Sequence, residues 1–143
     1  MWVNSLKILG YSILGLIGFF GGVFLFSPRV DYQDPERLHP LGTEAFHPDR
    51  WKAASPEARG AMVYDFVSKR EYKERDAVAL VDLLGEPTAR YLNPKNLAYQ
   101  VGPSDVKSRF GERFTFALVW NPKTNSFDKF WIEPFPEEVF KRR

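Results

Sequence analysis

The side chains best suited to chemistry in this chain are His39 and His47, its two histidines, set among Asp31, Asp34, Glu44 and Asp49. Imidazole and carboxylate groups are the usual donors of a metal site and the usual general bases of an enzyme. No spacing here forces them to converge, so they read as solvated linker residues, and no metal or cofactor is expected. Glu133, Glu137 and Glu138 make a second acidic group near the C-terminus, where clustered acids read as a solvated face. The chain has no cysteine, which removes disulfides, thiol nucleophiles and the usual structural zinc together. It also has no nucleophile elbow, P-loop or dinucleotide fingerprint. The residues specify no catalytic constellation, and the expectation is a protein that is not an enzyme.

Two other groups are suited to contact. Lys107, Arg109 and Arg113 lie in the polar loop 104–113, and such cations suit lipid phosphates if the loop lies near a membrane surface. Aromatics make up 16% of the chain and crowd its last third, where Trp120, Phe127, Trp131 and Phe135 are candidates for docking a partner. A nucleic acid is not the expected partner. Of the 20 Lys and Arg only Lys7 precedes Ser27, and all 18 Asp and Glu follow it, so the rest of the chain is close to neutral.

The elements that position these residues begin with Ile8 to Phe26, a stretch without a charge and rich in Ile, Leu, Val and Phe. As a helix rising ~1.5 Å per residue it spans ~28 Å, near the ~30 Å of a bilayer's hydrocarbon core. A transmembrane helix is therefore expected over residues 1–27. Bulky Val23-Phe24-Leu25-Phe26 stands where a cleaved signal peptide needs small residues, which favours an uncleaved anchor. Tyr11, Gly15, Gly18 and Gly22 share one face of that helix. The Gly18…Gly22 spacing suits close packing against another membrane helix, so an integral membrane protein is an expected partner, together with membrane lipid. The implied location is a bacterial inner membrane, crossed once, with the C-terminal domain on the periplasmic side.

Residues 28–54 carry Pro28, Pro35, Pro40 and Pro48, a density that opposes long helix and predicts an extended tether. A domain is expected over 55–134. Ser55-Pro56-Glu57 is a helix-start signal, and Met62, Val63, Phe66 and Val67 then share one face. A second helix runs from about Asp76 to Leu84, stopped by Gly85 and Pro87. Period-two patterning follows over 97–101, 114–120 and 127–133, with Asn121 to Asn125 as turn chemistry between the last two. Phe127 and Trp131 alternate with Phe130 and Ile132, so both faces of that strand are expected to be apolar. The fold class is α+β: two short helices packed on an antiparallel sheet of about three strands, behind the transmembrane helix. Residues 135–143 read as a tail.

Leu83-Leu84-Gly85-Glu86-Pro87, then Tyr99-Gln100-Val101-Gly102-Pro103, then Leu118-Val119-Trp120-Asn121-Pro122 form an ordered set. Over residues 58–133 this set resembles the SmpA/OmlA (BamE-like) domain of bacterial outer-membrane assembly lipoproteins. The resemblance implies an extracytoplasmic, non-enzymatic module that docks onto protein or lipid. The lipidated cysteine of the assembly group is missing here. The resulting expectation is an accessory or assembly subunit of a larger membrane complex. A lipid- or ligand-binding module, marked by an apolar pocket between helices and sheet, and a membrane-tethered enzyme are the alternatives.

Overall fold

The computed structural model describes residues 30–143, of which Tyr32 to Arg143 form one compact unit. A 3₁₀ helix, Pro35–Leu41, opens it, followed by α1 (Pro48–Ala53), α2 (Pro56–Ser68) and α3 (Ala77–Leu84). Strands β1 (Leu97–Val101), β2 (Phe114–Asn121) and β3 (Ser126–Glu133) come next, and α4 (Pro136–Phe140) closes the chain. The strands form an antiparallel sheet in the order β1-β2-β3. The fold is α+β.

Local chemistry sets the helix ends. The Ser55 hydroxyl accepts from the Ala58 N–H at 3.3 Å and the Asp76 carboxylate from the Ala79 N–H at 2.9 Å, each satisfying a donor the first turn leaves open. Gly85, at φ +77°, takes a positive-φ conformation open chiefly to glycine and ends α3, and its N–H reaches the Val81 carbonyl at 2.7 Å. On α2 the Met62, Val63, Phe66 and Val67 face is buried against the sheet. Gly60 lies where that helix meets β1's end: a Cβ there would stand 2.8 Å from the Gly102 nitrogen. The Gly102 N–H donates to the Pro56 carbonyl at 2.8 Å, which locks the approach.

The expected membrane helix is corrected here. No helix among the described residues is long and apolar enough to cross a membrane. The 13-residue α2 is ~20 Å long, well short of a ~30 Å hydrocarbon core, and it carries Glu57, Arg59 and Asp65. The stretch Ile8–Phe26, with its packing candidates Tyr11, Gly15, Gly18 and Gly22, lies outside the described residues. The single-pass inner-membrane location and the transmembrane docking mode lose their support with that helix.

The tether is corrected as well. Residues from 35 to 53 are built into the core: Leu38 and Trp51 are fully buried and Phe46 nearly so. The Trp51 indole N–H donates to the Leu84 carbonyl at 2.9 Å, and its ring meets Tyr99 edge-on at 5.9 Å. Burying each such side chain stabilises the fold by about 1.5–3 kcal/mol, more than a few prolines oppose. Those prolines start short helices instead, Pro35, Pro48 and Pro56 each standing in a first turn. Among the described residues four α-helices and a 3₁₀ helix thus stand where two short helices were expected, and the tail is α4, packed on the 3₁₀ helix with Phe140 stacked on Phe114.

The sheet has one apolar core face and one covered face. Leu97, Tyr99, Val101, Phe114, Phe116, Leu118, Phe130 and Ile132 point into the core. Val119 pairs with Lys129 and Trp120 with Phe127, so Asp128 is a bulge residue. A bulge adds one residue and restores parity, which brings Phe127 onto the core face with Phe130 and Ile132. The expected alternation of apolar residues over both faces is therefore broken at Asp128. On the other face Ala98 and Ala117 leave room for the connecting loops, and Tyr91 and Phe110 cover them with rings 4.9 Å apart.

Candidate functional site

Of the four aromatic docking candidates, the structure brings two together. Phe127 is fully buried in the core. Trp120 is packed against the core, its main-chain N–H held by the Asn96 side chain at 2.9 Å, with the Lys95 ammonium 4.1 Å above its ring. Trp131 and Phe135 instead face each other at one corner, ring centroids 5.4 Å apart, and Tyr32 completes a triangle at 5.4 and 5.5 Å. Tyr32 is 45% exposed, which opens the corner to solvent.

A cation sits against this triangle. The Arg37 guanidinium carbon lies 4.2 Å from the Phe135 ring centroid and 4.8 Å from that of Tyr32, within range of attraction by the ring faces. Its Nε donates to the Glu137 carboxylate at 2.7 Å, and Nη2 contacts the same oxygen. The pair ties the 3₁₀ helix to α4. Both partners are largely withdrawn from water, their side chains 13% and 29% exposed.

Sequence reasoning missed Tyr32 and Arg37. Both lie in the stretch read as tether, and only their types, aromatic and arginine, hinted at contact.

Three buried side-chain polar atoms have no hydrogen-bond partner among the described residues: Arg37 Nη1, Trp131 Nε1 and Glu137 Oε2. All three belong to this corner. A buried polar atom left unpaired costs about 1–3 kcal/mol, and native folds hold few of them. Their concentration in one place sets this corner apart from the rest of the described residues.

The basic loop does not converge. Arg113 Nη1 donates to the Gly102 carbonyl at 2.6 Å, and the Arg113 N–H to the Gln100 side chain at 3.1 Å. Arg109 extends toward Glu133 at 3.4 Å, and Lys107 is exposed apart from both. Gln100 and Ser108 satisfy Thr115, fully buried beneath the loop, at 3.2 and 2.9 Å, so these residues stitch loop to sheet. The histidines are equally dispersed. His39 stands edge-on to Tyr64 at 5.3 Å and His47 precedes α1, and among the described residues no group of three acidic or histidine side chains comes together. Glu133 and Glu137 face different arginines.

Surface concavities among the described residues include two with polar lining. One, of about 440 Å³, is lined by Pro87, Arg90, Tyr91, Leu92, Asn93 and Asn96. Asn96 is committed to Trp120 and to the Tyr91 carbonyl, and no acid–base pair faces the hollow. The other, about 320 Å³, runs along Thr88, Gln100, Phe110 and Arg113, whose polar groups are tied as described. Between helices and sheet the space is filled by Phe66, Tyr99, Phe116 and Leu84.

Perturbed titrations follow the same structural logic. Burial raises the pKa of the Tyr99 hydroxyl, which donates to the Gly85 carbonyl at 2.9 Å. Burial also pushes Asp65 up, but the Phe46 N–H at 2.8 Å and the Lys69 ammonium at 2.9 Å outweigh it and hold the carboxyl below its usual range. These groups fix the 44–46 segment and α3 to their neighbours.

Compared with family models, curated proteins and solved structures, the chain finds a match in none.

Proposed function

We propose that this chain is a non-catalytic docking module, an accessory or assembly subunit that binds a protein partner through the Tyr32, Trp131 and Phe135 corner. The three unpaired buried atoms gathered there carry the reading. A partner that moves the half-exposed Tyr32 aside and supplies acceptors to Arg37 and Trp131 and a donor to Glu137 removes a cost the isolated domain bears. Trp, Tyr and Arg are also the residue types that dominate binding energy at protein interfaces. The resemblance of residues 83–87, 99–103 and 118–122 to an SmpA/OmlA-like docking module is part of the same proposal.

The test places a photo-crosslinking phenylalanine analogue at Tyr32 in cells. A control carries it at Val78, 79% exposed on α3 and outside the corner. One discrete crosslinked product at Tyr32, absent at Val78 and lost on Trp131→Ala, is expected. Identical patterns at the two positions overturn the proposal.

A further inference from the structure

Between α3 and β1 the chain makes a closed loop: Ala89 pairs antiparallel with Ala98, and residues 90–97 leave the sheet edge and return to it. That loop holds Leu92 in two unfavourable ways at once. The side chain is 75% exposed, and a φ of +50° crowds it against its own backbone. Four non-glycine residues among those described have positive φ, and Leu92 is the only apolar one. Its neighbours fix it there. Asn96 Nδ2 donates to the Tyr91 carbonyl at 3.0 Å, the Asn96 N–H donates to the Asn93 carbonyl at 3.0 Å, and Asn93 Oδ1 accepts from the Lys95 N–H at 2.9 Å. Asn96 Oδ1 accepts from the Trp120 N–H at 2.9 Å, which anchors the loop to β2. Backbone strain over-determined in this way clusters at ligand clamps.

Leu92 lines the hollow of about 440 Å³ described above, with Pro87, Pro94 and Leu97 as further apolar walls. Two donors share the lining. The Arg90 guanidinium is exposed and has no hydrogen bond, ion pair or ring contact among the described residues, and Asn93 Nδ2 is equally unengaged. No Asp or Glu among the described residues lines the hollow. We propose that this hollow binds a small aliphatic carboxylate, its carboxylate on Arg90 and its hydrocarbon on Leu92, Pro94 and Leu97. One unpaired guanidinium matches a monoanion, and its planar fork suits a carboxylate. An exposed ion pair contributes little by itself, so a bare anion is not retained and apolar contact has to add to it. The volume lies within the range of small-molecule sites. Hydrocarbon over Leu92 ends an exposure that the loop otherwise maintains against its own stability. None of the lining residues belongs to the Tyr32, Trp131 and Phe135 corner, so the site goes beyond the docking reading and is tested apart from it.

The probe is octanoate, set against an octanoic acid bearing a diazirine that crosslinks the full chain on illumination, with labelled peptides read by mass spectrometry. Label within residues 87–97, displaced by octanoate, is expected. Octanol, which keeps the chain and lacks the charge, and acetate, which keeps the charge and lacks the chain, should each displace it at least about fivefold less well. Arg90→Ala removes no bond within the described domain. It should raise the octanoate concentration for half-displacement about fivefold and bring octanoate and octanol to the same value. Leu92→Gly should weaken octanoate by a similar factor and raise the melting temperature, because glycine takes a φ of +50° freely. A merely structural Leu92 would not move affinity and stability in opposite directions.

Absence of label from residues 87–97 overturns the proposal, and so does label there that octanoate and octanol displace equally from wild type. Equal half-displacement in wild type and Arg90→Ala refutes the carboxylate's place. Acetate as effective as octanoate refutes the hydrocarbon's place and leaves only a weak anion contact. Circular dichroism melting of each variant separates these results from unfolding.

Discussion

Asp65 shows how a single residue converts a supposed linker into part of a domain. Its carboxylate sits on α2, yet it accepts from the main chain at Phe46 and pairs with Lys69 one turn on. Both contacts favour the ionised form and exceed the effect of burial, so its folded pKa lies below its unfolded one. For a carboxyl depressed in this way, the stabilisation is complete above the unfolded pKa of about 4 and is lost as pH falls through the folded value. Asp65→Asn should therefore lower urea stability at pH 7, and the difference from wild type should shrink steadily below about pH 4. A difference that stays constant from pH 7 to pH 2.5 would show that the charge is irrelevant. Sequence offered no sign of this contact, because the partner is a main-chain N–H 19 positions away.

At the scale of elements, caps and breakers were readable and contacts were not. Ser55, Asp76 and Gly85 act within a few residues of themselves, so the start of α2 and both ends of α3 lie where local chemistry puts them. The strands follow their period, and the one parity error, at Phe127, comes from a bulge whose cause is pairing across to β2. Gly60 is the reverse case. Inside a helix, glycine costs about 1 kcal/mol against alanine, so a local reading predicts that Gly60→Ala stabilises. The packing decides otherwise, since the added methyl would stand 2.8 Å from one main-chain atom of Gly102 and 2.9 Å from another. Backbone held by the Pro56 hydrogen bond cannot yield cheaply, and overpacking of this kind typically costs 1–3 kcal/mol. Gly60→Ala should thus lower the melting temperature by several degrees, by about 4–8 °C per kcal/mol for a domain of this size. A higher melting temperature would show that helix propensity outweighs the contact.

For the whole molecule, the division between tether and domain was the part that the sequence could not disclose. Proline density describes what a segment cannot do alone, whereas Leu38, Phe46 and Trp51 are held by partners on α2, α3 and the sheet. The aromatic corner was half legible for the same reason. Trp131 and Phe135 stand out by type, but Tyr32 and Arg37 join them only because the 3₁₀ helix packs on α4, about a hundred positions away in the chain. This arrangement sets the minimum folding unit. A fragment of residues 55–143 keeps every strand and both longer helices, yet it lacks the side chains that fill the core beside Phe66, Leu84 and Tyr99. Replacing one large buried side chain by a void typically costs 3–5 kcal/mol, and removing Leu38 and Trp51 together exceeds the total stability of most small domains. The 55–143 fragment should show no cooperative thermal transition and bind hydrophobic dye, while a fragment of residues 32–143 should melt in a single sharp step. A cooperative transition in the shorter fragment would return residues 32–54 to the status of a linker and, with them, remove Tyr32 and Arg37 from the docking corner.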